Sequence, residues 1–248
     1  MPVYSMDRNP HRVAYGTTIG ILLLNTRFPM IPGDVGNAST YRFPVLYRVV
    51  ECLPTDFWAS DTAFERLDAV IEEARALEQF GVAAITSDCG YMALYQKEVA
   101  AAVNVPVFLS SLMQAPFIHR TLGPRKKIGL VVADSRRMAK RILRNSGVDD
   151  SIPIAIAGME NQPAFWSAMV EENGTLDSDA VERGAVAVAT ELVQKNPDIG
   201  ALLLECSDLP PYAAAVQEAV RLPVFDFITM INHVYSAVAQ ARYIGTMY

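Results

Sequence analysis

Two cysteines, Cys89 and Cys206, each follow an apolar run of strand length and precede a stretch with helical spacing. Aligning one cysteine with the other brings further identities into register: Tyr95 with Tyr212, Val99 with Val216, and Pro106-Val107-Phe108 with Pro223-Val224-Phe225. The repeated unit is about half of the chain, far longer than the roughly 20–50 residues of a solenoid repeat. The pattern predicts two similar lobes, each with one cysteine at an equivalent place.

A pair of thiols on opposite walls of a cleft is suited to proton transfer at carbon. Inverting a carbon next to a carboxylate needs an acid/base group on each face, because one removes a proton and the other returns one. Free cysteine has a pKa of about 8.5, and the N-terminus of a following helix lowers it. We therefore expect Cys89 and Cys206 to be catalytic, and at least one of them to be alkylated faster than Cys52. Cys52 lies among apolar residues and is expected to be a small buried hydrophobe.

Strand-like and helix-like segments alternate along the chain, and they must position the two cysteines. The predicted strands are 19–24, 45–53, 82–86, 107–109, 128–132, 154–157, 201–204 and 224–225. The predicted helices are 61–80 (capped by Asp61 or Thr62), 93–103, 114–121, 135–145, 179–194, 212–220 and 228–243. Because a parallel crossover needs a helix to return the chain, the fold class is α/β, with parallel sheets flanked by helices.

Ligands of such sheets lie beyond the carboxyl ends of the strands. Both cysteines and the loop after Leu24 fall there, so we expect the active site in a cleft between the lobes. Lobe one is predicted to cover residues 1–112 and to be completed by the C-terminal helix, 227–248. Lobe two is predicted to cover residues 113–226.

Composition excludes several classes of function. The chain has 248 residues, of which 51% are hydrophobic and 19% charged, as is typical of a globular protein. A net charge of -6 and a pI near 5.1 disfavour nucleic acid as a partner. The longest apolar run near the start, Ile19 to Leu24, is far short of the ~20 residues that span a bilayer, so no membrane segment or signal peptide is expected.

Three cysteines leave one unpaired in any intramolecular disulfide scheme, so we expect reduced thiols and a cytoplasmic location. The chain has no Cys-x-x-Cys, no histidine pair at ligand spacing and no glycine-rich dinucleotide fingerprint. Neither a metal nor a cofactor is predicted.

Three segments carry a resemblance to a known family: Ser87-Asp88-Cys89-Gly90, Leu204-Glu205-Cys206-Ser207-Asp208-Leu209-Pro210, and Asn25-Thr26-Arg27-Phe28-Pro29. In them the chain resembles the aspartate/glutamate racemase superfamily, whose members use no pyridoxal cofactor and include hydantoin racemase, maleate isomerase and arylmalonate decarboxylase. The resemblance implies two α/β lobes, a cleft between them and one catalytic cysteine from each lobe. Similar proteins are often dimers, which suggests a homo-oligomer.

The sequence is therefore interpreted as a cofactor-independent racemase or epimerase, an isomerase acting on a small carboxylate through Cys89 and Cys206. Backbone N–H groups at the helix ends and two side chains of the first loop are expected to bind the substrate: Gly90, Tyr91, Ser207, Asp208, Asn25 and Arg27. Asp88 and Glu205 precede the cysteines, and a carboxylate beside a thiolate raises its pKa. The alternatives are a decarboxylase, a maleate-type isomerase, a hydantoin racemase, or a binding protein without catalysis.

Overall fold

The computed structural model describes residues 15–16, 19–57 and 63–247. Within these ranges, eight strands form two four-stranded parallel sheets, ordered β2-β1-β3-β4 and β6-β5-β7-β8. The strands are β1 Ile19–Leu24, β2 Val45–Val50, β3 Ala84–Ser87, β4 Val107–Phe108, β5 Lys127–Val132, β6 Ile154–Gly158, β7 Ile199–Leu204 and β8 Val224–Phe225. The same order in both sheets confirms the predicted α/β fold with two pseudo-symmetric lobes.

Helices surround both sheets in the described part of the chain: α1 Leu67–Phe80, α2 Gln96–Ala102, α3 Ala115–Thr121, α4 Lys140–Asn145, α5 Pro163–Phe165, α6 Ser178–Lys195, α7 Ala213–Val220 and α8 Phe227–Val238. Short 3-10 turns precede α2 and α7, over Gly90–Tyr95 and Pro210–Tyr212. The predicted caps Asp61 and Thr62 lie outside the described residues. At its other end α1 stops at Gly81, whose left-handed backbone (φ 99°) lets its N–H bond to the last carbonyls of the helix.

The central strands β1, β3, β5 and β7 are buried on both faces, which explains their continuous apolar sequences. Their carboxyl ends meet in the middle of the molecule. There the backbone N–H of Asp88 donates to Leu22 O, and that of Glu205 donates to Val131 O. Each cysteine therefore leaves its sheet at the same point relative to its neighbouring strand.

Helix α8 returns to the first sheet. Its residues Phe227, Met230, Ile231 and Val234 form a buried cluster that includes Ile19, Ile21 and Ala84. The helix begins at a capping box between Asp226 and Thr229. It ends at Val238, so the predicted extension to Tyr243 is wrong. The apolar stripe has no large member at positions 241 and 242, which are Ala and Arg, and a helix gains most of its stability from such packing.

Tyr91 links the lobes through the main chain of Asp134. Its buried hydroxyl donates to Asp134 O (2.8 Å) and accepts from Asp134 N (3.0 Å). We expect Tyr91→Phe to lower the free energy of unfolding by about 1–3 kcal/mol, because a buried backbone donor and acceptor lose their partner. Urea unfolding measures this.

Tyr47→Phe is the matched control for that experiment. The Tyr47 hydroxyl donates to Val35 O, and this carbonyl also accepts a hydrogen bond from Tyr41, so it stays paired in the variant. Equal stability losses in the two variants would contradict the role of the Tyr91 link.

Candidate active site

A small cavity of about 40 Å³ lies between the lobes, at the carboxyl ends of the central strands. The predicted site residues that line it are Cys89, Gly90 and Tyr91 from the loop after β3, and Cys206, Ser207 and Asp208 from the loop after β7. A larger groove of about 470 Å³ runs between α3 and α8, but its lining is mainly apolar and includes neither cysteine nor carboxylate. The chemistry-bearing groups therefore converge on the smaller cavity.

Asn25 and Arg27 do not line this cavity. The Asn25 side-chain amide donates to Glu51 O (3.1 Å), and the exposed Arg27 guanidinium donates to Thr26 O (2.9 Å). The same loop presents Thr26 and Phe28 to the cavity instead. Among the described residues, the buried hydroxyl of Thr26 has no hydrogen-bond partner, so it is available to a ligand.

Both cavity cysteines are only 7% exposed, and burial raises the pKa of each thiol. Glu205 and Asp88 raise the pKa of Cys89 further, and Asp208 and Glu205 do so for Cys206. The backbone N–H groups of Tyr91 and Asp208 act in the opposite direction and lower the pKa of Cys89 and Cys206, respectively, because an N–H group near the sulfur favours the thiolate. The expected lowering of the thiol pKa is therefore wrong for the protein without ligand.

Cys52 is exposed in the turn after β2, so the expectation of a buried hydrophobe is wrong as well. Reactivity follows thiolate fraction and exposure. We now expect Cys52 to be alkylated first by iodoacetamide at pH 7, and Cys89 and Cys206 only slowly, as followed by peptide mass spectrometry. Denatured protein, in which all three thiols label at similar rates, is the control. Faster labelling of Cys89 or Cys206 in the folded protein would contradict the burial of these two thiols.

Cys206 has a carboxylate as its partner. Its Sγ donates to Asp208 Oδ2 at 3.4 Å. Burial raises the pKa of Asp208 to about 6, while hydrogen bonds from Cys206, Ser207 and Asp34 oppose this rise. Burial and the charge of Asp208 raise the pKa of Asp34 well above its usual value, and Asp208, with a pKa of about 6, is mostly ionised at pH 7. Asp208 can therefore accept the thiol proton of Cys206.

Asp88 and Glu205 occupy equivalent positions before the two cysteines but behave differently. The Asp88 carboxylate turns back into its own lobe and accepts a hydrogen bond from Leu24 N (2.9 Å). Glu205, one methylene longer, is fully buried at the cavity wall, and neither of its carboxyl oxygens has a hydrogen-bond partner within the described ranges. The sequence signals Glu205 only by its place beside Cys206.

Burial raises the pKa of Glu205 to about 8. The backbone N–H of Ala133 opposes this rise, although its geometry falls short of a hydrogen bond. Gly90 packs directly on Glu205: a Cβ at position 90 would lie 2.5 Å from Glu205 O and closer still to Oε1. Gly90 is therefore required by the close approach of the two cysteine loops.

One wall of the cavity comes from the segment after α5, a π-helical turn over Trp166–Val170. Phe165, Met169 and Val170 face the cavity from this segment. Glu172 comes next, in the left-handed region (φ 51°), and accepts hydrogen bonds from Arg27 N (3.0 Å) and the Thr55 hydroxyl. The Glu172 side chain thus connects this wall to the first lobe. The sequence pattern does not predict this contact.

No protein-family model matches the chain. A dimethylsulfoniopropionate lyase of Durusdinium sp. clade D is 32% identical to it, over 85% of this chain and 71% of that protein. The chain belongs to the dimethylsulfoniopropionate lyase family. Dimethylsulfoniopropionate lyase 7 of Emiliania huxleyi is 33% identical, over 89% of this chain and 67% of that protein. Lyase 3 of the same alga is 34% identical, but the match spans only 59% of its length.

Solved structures show how far the fold of this lyase family member is shared. Glutamate racemase from Bacillus anthracis has a TM-score of 0.62 at 16% identity, covering 90% of this chain and 82% of the racemase. Arylmalonate decarboxylase has a TM-score of 0.58 at 15% identity, covering 90% and 94%. These similarities confirm the fold of the aspartate/glutamate racemase superfamily.

The interpretation as a racemase, and with it the isomerase class, is wrong, because the relatives at 32–34% identity are named lyases. The alternative of another reaction in the same superfamily is closer, although cleavage of a C–S bond is not among the reactions that the resemblance suggested. In the described part of the chain, no helix is long and apolar enough to cross a membrane. In the same residues, no three His, Cys, Asp or Glu side chains are placed so that they could hold a metal ion.

Proposed function

We propose that this protein is a C–S lyase that converts dimethylsulfoniopropionate, a small zwitterionic carboxylate, to dimethyl sulfide and acrylate. Membership of the lyase family supports the reaction. The contact between the Cys206 thiol and the Asp208 carboxylate is the observation that carries the assignment of the base. Elimination starts by removal of a proton from the carbon next to the carboxylate, which is the step that a thiolate at this cavity can perform.

Electrons and protons balance over the proposed reaction. Once the sulfonium is bound, the Cys206 thiol passes its proton to Asp208, and the thiolate then takes a proton from the carbon next to the substrate carboxylate. The electron pair of that C–H bond becomes the C=C bond of acrylate. The C–S bond breaks, and its electrons go to sulfur, which leaves as neutral dimethyl sulfide. Asp208 finally releases its proton, so each turnover yields one proton.

The substrate itself helps to form the thiolate. Without ligand, burial and nearby carboxylates hold the pKa of Cys206 well above its usual value. A sulfonium cation in the cavity offsets those negative charges, and a nearby positive charge favours the thiolate. At the other end of the substrate, the unpartnered Thr26 hydroxyl is the donor that we assign to the carboxylate.

Product analysis tests the reaction. Purified protein is incubated with dimethylsulfoniopropionate, dimethyl sulfide is measured by headspace gas chromatography, and acrylate by proton NMR. The proposal expects both products in equal amounts, and heat-denatured protein is the control. Absence of both products would overturn it. Solvent deuterium entering the substrate without dimethyl sulfide release would show proton abstraction uncoupled from elimination, which also contradicts a lyase.

A further inference from the structure

The carboxyl group of Glu205 is the least compensated polar group at the cavity. It is fully buried, lines the cavity wall, and has no hydrogen-bond partner among the described residues. Burying such a group without a partner is unfavourable, and buried polar groups in proteins are nearly always paired. A ligand that supplies the missing partner would explain why the group stays there.

The surroundings favour a cation as that partner. Asp34 and Asp88 are buried as well, Asp88 and Asp208 line the same cavity as Glu205, and no lysine or arginine in the described ranges forms an ion pair with any of these four carboxyl groups. The negative charge of Asp208 raises the pKa of Glu205, so two ionised carboxyl groups at this place repel each other. A positive charge on the ligand relieves that repulsion, whereas a second anion would increase it.

The apolar side chains of the cavity wall indicate which type of cation fits. Leu24, Phe28, Phe165, Met169 and Val170 line the same cavity and offer aromatic and aliphatic surface. A metal ion or a primary ammonium group needs several oxygen ligands or hydrogen-bond acceptors. A methylated onium group does not, because its charge is spread over methyl groups that pack against apolar and aromatic side chains. Among the described residues no three acidic, cysteine or histidine side chains are placed to hold a metal ion, so the unpartnered Glu205 carboxyl beside apolar walls fits a methylated sulfonium or ammonium group.

We propose that Glu205 and the apolar wall beside it form an onium subsite, which takes the dimethylsulfonium end of the substrate and leaves the carboxylate end to Thr26. This inference rests on the proposed function for the identity of the substrate. It also makes Glu205 a specificity-determining residue: it separates a cationic ligand from a neutral one of the same shape. A carboxylate with a tert-butyl group in place of the onium group has the same shape and is neutral at the end that enters this subsite.

Binding is then linked to proton release. Burial holds the pKa of Glu205 at about 8 in the empty protein, so most of this group is protonated at pH 7. The titratable groups that interact with it or line the same cavity are Cys89, Tyr91, Cys206, Asp88 and Asp208. An onium ligand stabilises the carboxylate, so its binding expels a proton from Glu205 below pH 8 and none well above it. Affinity for the cation rises with pH over this range.

The test compares two ligands of nearly the same shape by isothermal titration calorimetry. One is 3-(trimethylammonio)propionate, a zwitterion with a cationic end that is a poor leaving group, called here the cation. The other is 4,4-dimethylpentanoate, which has the same carboxylate and an uncharged tert-butyl end, called here the neutral isostere. The native protein is expected to bind the cation at least about tenfold more tightly, the ratio that corresponds to 1.4 kcal/mol. Heats measured in two buffers of different ionisation enthalpy are expected to show proton release at pH 7 that disappears at pH 9.

Glu205→Gln is expected to keep its affinity for the neutral isostere and to lose the preference for the cation. Asp226→Asn is the matched control, because Asp226 is a buried carboxyl at the N-cap of α8, outside the cavity, where asparagine also caps well. Equal affinity of the native protein for both ligands, or an unchanged preference in Glu205→Gln, would overturn the subsite. If Glu205→Gln does not fold, the comparison of the two ligands on the native protein still decides.

The binding test of the onium subsite and the product test of the lyase reaction can give different answers. A preference for the cation without release of dimethyl sulfide would support the subsite and reject the lyase reaction. Release of dimethyl sulfide by a protein that binds both ligands equally would support the reaction and reject the subsite.

Discussion

Replacement of Cys206 by alanine is expected to lower the rate of dimethyl sulfide release by about 10²–10⁴-fold, the usual contribution of a general base. We assign the base to Cys206 because its thiol donates to the Asp208 carboxylate at 3.4 Å. Asp208 can therefore accept the thiol proton when the thiolate forms. The loss should appear mainly in kcat, since alanine removes the base and leaves Glu205 and Thr26 in place. Headspace gas chromatography at saturating substrate measures it.

Two further cysteine variants serve as a control and as a test of which cysteine is the base. Cys52→Ala should release dimethyl sulfide at close to the native rate, because Cys52 is exposed and does not line the cavity. Cys89→Ala should lose less than Cys206→Ala, since dimethyl sulfide leaves as a neutral molecule and needs no acid on the opposite wall. If Cys89→Ala were the more damaging change, the base would have to be reassigned to Cys89.

The second large effect is expected for Gly90→Ala. A Cβ at this position would lie 2.5 Å from Glu205 O, and this overlap with main chain cannot be removed by a side-chain rotation. The two cysteine loops must move apart, so we expect at least about a hundredfold loss of activity and a loss of stability of about 1–3 kcal/mol, as for other overpacked sites. Activity assays and urea unfolding measure the two effects.

Gly123→Ala is the matched control, because no heavy atom of the described residues lies within 4 Å of a Cβ placed there. It should retain both activity and stability. A Gly90→Ala variant with native activity would show that the approach of the two loops is not needed for catalysis.

The strands are predicted closely by the sequence. β1 and β8 match their predicted limits, because each is an apolar segment bounded by polar or turn-forming residues. The helices are less well predicted at their starts. The predicted helix 135–145 divides into a 3-10 turn at Ser135–Arg137 and α4, with extended backbone at Ala139 between them. Periodicity does not distinguish a 3-10 turn from the first turn of an α-helix, since both place apolar residues three positions apart.

The site is predictable only in part, for two physical reasons. Asn25 and Arg27 are polar, but local hydrogen bonds direct them to the backbone, and the less conspicuous Thr26 faces the cavity instead. The two cysteines also do not predict which reaction follows, because a racemase and a lyase of the proposed kind both begin by removing a proton next to a carboxylate. The fate of the resulting carbanion depends on whether the substrate carries a leaving group. The two cysteines do not indicate which substrate binds.

The single methylene that separates Glu205 from Asp88 breaks the symmetry of a duplicated site. Inversion of a stereocentre needs an acid/base group on each wall of a cleft, and each group transfers a proton in turn. Two equivalent halves provide such a pair. Elimination is directional: one end of the substrate must be held as an anion and the other released as a leaving group. Both carboxyl groups line the cavity, but Asp88 is bonded to its own lobe and Glu205 has no partner among the described residues, so under the proposed reaction the two halves have different roles, and the cleft has two unlike ends although the fold is nearly symmetric.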